Sequence, residues 1–71
     1  MITFSELLNG VLKEGQITQK ELADRTGIAQ PNICRYCKDM EPSLKNFYKI
    51  CKALDLYIPE VLYYLYGGDE K

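Results

Sequence analysis

Gln30, Asn32 and Arg35 lie close together in the chain and carry side-chain ends suited to flat hydrogen-bonding edges. A carboxamide sets a donor beside an acceptor, which matches adenine N6 and N7, and a guanidinium offers parallel donors to guanine O6 and N7. Lys38 follows, its ammonium suited to phosphate oxygens. Such chemistry needs a short helix with Ile28, Ile33 and Tyr36 turned inward, leaving Gln30, Pro31, Asn32, Cys34, Arg35 and Lys38 outward. The plainer alternative is an amide-rich solvated face.

Two helices meeting at a corner have to position these groups. Thr18 and Glu21 form a capping box, with Ile17 and Leu22 bracketing it as a hydrophobic staple, so a helix starts at Gln19. Leu22 and Ala23 turn inward, and Gly27 can take a positive φ at no steric cost. The next helix begins near Gln30 with Pro31 in its first turn, where a missing N–H breaks no intrahelical bond, and is expected to end by Asp39.

This stretch resembles the helix-turn-helix of the Cro and phage-repressor (XRE) family. Counted from Gln19, the fifth residue is Ala23 at the close crossing, the ninth is Gly27 at the turn and the fifteenth is Ile33 in the core. Gln30, Pro42-Ser43-Leu44 and Ala53-Leu54 continue the match, which runs from about Phe4 to Leu62. The chain departs from the family pattern at Pro31, Cys37 and Asp39, where a small hydroxyl residue, an acid and a glycine are usual. The end of the third helix and the loop after it are therefore expected to be built differently, and no base preference carries over. The resemblance implies DNA reading in the major groove by Gln30, Asn32 and Arg35, and phosphate contact by Gln19 with Thr18, Lys20 and Lys38 nearby.

The remaining elements follow in order. Thr3 and Glu6 form a second capping box, and Phe4, Leu7, Leu8, Val11 and Leu12 recur at helical spacing, giving an amphipathic helix that Glu14-Gly15 closes. Ser43 is a plausible N-cap for a fourth helix turning Leu44, Phe47, Ile50, Cys51 and Leu54 inward. Asp55-Leu56-Tyr57 turns the chain, and Pro59 opens a fifth helix to about Tyr66 that Gly67-Gly68 stops. The expectation is all-α: one compact five-helix, lambda-repressor-like bundle over residues 1–66, its helix-turn-helix formed by helices 2 and 3, with a short charged tail at 67–71.

Other chemistries find little support. Cys34 and Cys37 spell C-x-x-C, yet a structural zinc site takes four ligands, and this chain has no histidine and only Cys51 as a further thiol. The cysteines read as free packing thiols, with a thiol switch acting on the third helix as the alternative. Without histidine there is no Ser-His or Cys-His pair, no glycine-rich phosphate loop occurs, and the carboxylates are scattered, so no catalytic residues and no cofactor are expected. Seventy-one residues are expected to make one domain, without room for a separate effector domain. No apolar run approaches the ~20 residues of a membrane span and no signal-peptide pattern opens the chain, so a cytoplasmic protein is expected.

Net charge is −1 and the pI is near 5.3, unusual for a nucleic-acid binder. Between Thr18 and Lys38, however, Lys20, Arg25, Arg35 and Lys38 outnumber Glu21 and Asp24. The fifth helix is apolar nearly all round. Val61, Leu62 and Leu65 can close the bundle, which leaves Tyr63, Tyr64 and Tyr66 for a homodimer interface or for folding back over the first helix. A dimer would add the contacts of two weakly basic heads on one palindromic duplex. The expected function is a sequence-specific DNA-binding regulator, a dimer repressing by occupancy. The alternative is a protein-interaction or antitoxin-like module with a protein partner and little DNA affinity, which the acidic pI favours.

Overall fold

The computed structural model describes residues 2–67. Five helices appear there and no strand: α1 (Phe4–Gly15), α2 (Gln19–Thr26), α3 (Gln30–Tyr36), α4 (Leu44–Ala53) and α5 (Ile58–Tyr66). The chain ends at 68–71, part of the expected tail, lie outside the described residues.

The local start and stop signals act as their chemistry requires. Both Thr3 and Thr18 accept from the backbone N–H three residues on, while Glu6 and Glu21 accept from the N–H of those threonines at 2.9 and 2.8 Å. Ser43 caps α4 by accepting from the Asn46 N–H. Gly27 and Gly67 end α2 and α5 in the left-handed region, φ 76° and 79°.

The first helix ends at Gly15, with the left-handed cap on the residue after it. Gln16, at φ 54°, takes the left-handed cap, and Gly15 stays helical. A Cβ on Gly15 would lie 3.2 Å from the Ile17 Cδ1, so this glycine makes room for the Ile17 side chain, which packs on the core.

The core draws Phe4, Leu8 and Leu12 from α1, Leu22 and Ala23 from α2, Ile33 and Tyr36 from α3 and Ile50 from α4, with Ile28 from the corner. Leu22, Ile33 and Ile50 are fully buried. Burying each stabilises the fold by about 1.5–3 kcal/mol relative to exposure. Leu7 and Val11 end half-buried on the outer shoulder of α1, and Phe47 and Leu54 are half-buried at the core edge.

Two expected core residues are not in the core. Leu44 is 83% exposed, because it lies roughly 70° round α4 from the centre of the Phe47, Ile50, Cys51 and Leu54 face, at 3.6 residues per turn. Leu62 is 42% exposed, since Val61 and Leu65 occupy the buried line of α5 and Leu62 falls on its shoulder. Tyr63, Tyr64 and Tyr66 all remain 47% exposed or more, so none of the three packs into the core.

Candidate nucleic-acid interface

The corner between α2 and α3 is held by more than Gly27. The Thr26 hydroxyl donates to the Leu22 carbonyl at 2.8 Å and accepts from the Ile28 N–H at 3.1 Å, while the Gly27 N–H donates to the Ala23 carbonyl at 2.8 Å. The last turn of α2 is thereby satisfied and Ile28 is delivered into the core. Thr26 was not singled out by sequence, although a threonine beside a turn glycine is the residue type that can bond locally to backbone.

α3 presents its side chains as its buried stripe dictates. Ile33 and Tyr36 are buried, Gln30, Pro31 and Arg35 are exposed, and Asn32 and Cys34 are half-buried. Pro31 and Arg35, four residues apart, share the centre of the outward face, and Gln30 and Asn32 flank it on opposite shoulders. The helix ends at Tyr36, earlier than Asp39: the N–H groups of Lys38, Asp39 and Met40 all converge on the Arg35 carbonyl at 3.0–3.1 Å. Lys38 thus stands exposed in a tight turn beyond the helix rather than on its last turn.

Three side chains from other helices lock that end in place. Ser5 Oγ donates to the Tyr36 carbonyl and Asn9 Nδ2 to the Cys37 carbonyl, each at 2.7 Å, and Asn46 Nδ2 donates to the Tyr36 hydroxyl at 2.9 Å. Free C-terminal carbonyls of a helix need such partners when buried. The opposite end of α3 has no side-chain cap; the Asn32 and Ile33 N–H groups donate to the Ala29 carbonyl at 2.9 and 3.2 Å.

The phosphate candidates gather at the start of α2. Thr18 and Lys20 are exposed and Gln19 is half-buried. Lys20 pairs with Asp24 at 3.5 Å, an exposed contact worth about 0–1 kcal/mol that leaves the ammonium easily redirected. The Thr18 backbone and side chain hold the Glu21 carboxyl below its usual range.

Positive charge also extends beyond the corner. Lys45, Lys49 and Lys52 recur along one face of α4, which carries no acidic residue, and the Lys52 ammonium lies 6.0 Å from the centre of the Tyr48 ring. Their spacing, four and then three, is a helical signal legible in the sequence.

The cysteines are free thiols. Burial pushes Cys37 up, with Cys34 adding to the effect and a hydrogen bond from Gln19 opposing it; burial alone pushes Cys51 up. No group of three or more metal-ligating side chains is placed to hold a metal among the described residues. No helix there is long and apolar enough to cross a membrane.

Residues 7–65 match the family described as Cro/C1-type HTH DNA-binding domain. The chain belongs to this family. The match spans all of α2, α3 and α4, α1 from Leu7 on and α5 as far as Leu65, and α2–α3 is the helix-turn-helix of this domain. DNA binding is accordingly the activity of this family of domains. No curated protein and no solved structure matches the chain.

Proposed function

We propose that this Cro/C1-type domain is a cytoplasmic, sequence-specific transcriptional repressor that acts as a homodimer by occupying a palindromic operator. Gln30, Asn32 and Arg35 meet base edges in the major groove, and Thr18, Gln19, Lys20 and Lys38 meet phosphates. The observation that carries this reading is the exposure of Gln30 and Arg35 on a helix whose far end is pinned by Ser5, Asn9 and Asn46. A rigidly held helix with amide and guanidinium groups outward can discriminate bases, because bidentate pairing tolerates little misplacement. Tyr63, Tyr64 and Tyr66 supply exposed rings for a second copy, and a two-fold dimer sets its reading helices roughly 34–36 Å apart, one turn of DNA.

Selection from random duplexes at low salt tests the reading, with an enriched palindromic motif as the expected result. A second reading, a protein-interaction or antitoxin-like module, is favoured by the net charge of −1 together with the exposed apolar side of α5. Absence of any enriched motif, with duplex binding that vanishes at moderate salt, moves the function to that module.

A further inference from the structure

Leu44 is the most exposed of the large hydrophobic residues, and it stands on the rim of a cavity. The cavity measures about 260 Å³ and is walled by Phe4, Pro42, Phe47, Leu62 and Tyr66. That is ample for a branched four-carbon side chain, since a water molecule takes a share of about 30 Å³ in the liquid. Ile2, whose N–H donates to the Tyr64 carbonyl at 3.1 Å, forms part of the same wall.

A projecting leucine beside an apolar hollow makes the surface complementary to itself. A two-fold axis between them lets the Leu44 of each copy enter the hollow of the other, the reciprocal pattern of an isologous interface. Charge repeats the pattern. Glu41 lines the cavity and Lys45 follows Leu44; both are exposed, and the ion pair among the described residues is Lys20 with Asp24, so neither is paired with another of those residues. The same axis can set Glu41 of one copy against Lys45 of the other.

The area suffices for an association of modest strength. Tyr66, which lines the cavity, is 65% exposed and, at about 150–250 Å² for a whole buried ring, carries on the order of 100–160 Å². Leu44, Leu62 and Ile2 bring the face to roughly 450 Å², one partner's share in a weak or transient interface. A foreign partner would need only the hollow; the knob and both charges beside it are accounted for by a second copy.

We propose that two copies of this chain join through the groove between α4 and α5, Leu44 of each seated in the cavity of the other and Glu41 facing Lys45 across the axis. This rests on the dimer reading above and assigns its centre to α4 rather than to Tyr64, which lies on the opposite shoulder of α5.

Sedimentation of the full chain tests it, comparing the native sequence with Leu44→Asp, Glu41→Lys, Lys45→Glu and an equimolar mixture of the last two. Leu44 opens α4, where an acidic side chain is favourable, so the fold is kept and circular dichroism verifies it. The native chain is expected to dimerise at micromolar concentration, and Leu44→Asp to weaken dimerisation by about tenfold or more, as for loss of a central apolar anchor. Each charge reversal alone weakens it. Their mixture restores it, because both contacts in the mixed pair again join opposite charges. If all three variants dimerise like the native chain, this interface is wrong; if Tyr63→Ser with Tyr64→Ser then abolishes dimerisation, the dimer reading survives through the tyrosines. A native chain that stays monomeric removes both.

Discussion

Ser5 donates its hydroxyl hydrogen to the backbone carbonyl of Tyr36 at 2.7 Å, joining α1 to the end of α3 across 31 residues of sequence. Both groups are buried, so the bond satisfies a carbonyl that water cannot reach. Asn9 does the same for Cys37 one turn further along α1. The pitch of α3 is therefore set from α1 as much as from the corner with α2.

Ser5→Ala is expected to cost about 1–3 kcal/mol, the penalty of leaving a buried acceptor unpaired. Urea denaturation of the two proteins side by side measures it. A change near zero would mean that the Tyr36 carbonyl finds another donor and that Ser5 does not set the helix.

The corner separates backbone conformation from packing. Nothing lies within 4 Å of a Cβ built on Gly27, so Gly27→Ala costs only the left-handed backbone conformation. That cost is on the order of 1–2 kcal/mol. Thr26→Val keeps the shape but removes the hydroxyl that serves Leu22 and Ile28, and a loss of about 1 kcal/mol or more is expected. Thermal unfolding of both variants is the check, and a Gly27→Ala protein as stable as the native one would refute the first half.

Arg35→Ala should cost on the order of 1–3 kcal/mol on a cognate duplex and relax preference at one base pair, whereas Lys38→Ala should weaken all duplexes alike and lower the salt slope by about one unit. Titration against cognate and scrambled duplexes at several salt concentrations distinguishes the two. Equal losses on both duplexes for Arg35→Ala would reassign it to the backbone.

Acid acts on α2 through Glu21, whose carboxyl is held below its ordinary value of 4.5 first by the Thr18 backbone N–H and then by the Thr18 side chain. A carboxyl depressed in the folded state contributes stability that is full above about pH 4.5 and is lost as pH falls through the folded value. The Glu21→Gln protein should therefore lose less stability than the native one between pH 5 and 3, a window of about two units around that value, followed by urea midpoints. Parallel midpoint curves would count against the capping carboxylate.

Thiol labelling ranks the cysteines. Cys37 and Cys51 are buried and pushed up by that burial, while Cys34 is half-buried. Iodoacetamide at neutral pH should modify Cys34 first and leave Cys37 and Cys51 until the protein unfolds, read by peptide mass. Early modification of Cys37 would instead support a thiol pair able to act on α3.

The features legible in the sequence are those whose partners lie within a turn or two. The boxes at Thr3 and Thr18, the Ser43 cap and the stops at Gly27 and Gly67 involve groups three to five residues apart, so the side chain and its target are named together in the string. The inward line of α3 was equally legible, because Ile33 and Tyr36 at helical spacing leave one arrangement of Gln30 and Arg35. Tertiary structure alone decided which shoulders of α4 and α5 stay open, since periodicity names an apolar stripe but not its width, and Leu44 and Leu62 stand where no neighbouring helix arrives. It also decided that Ser5, Asn9 and Asn46 hold the end of α3, because their acceptors lie 31, 28 and 10 residues away and only packing brings a donor and a distant carbonyl or hydroxyl into reach.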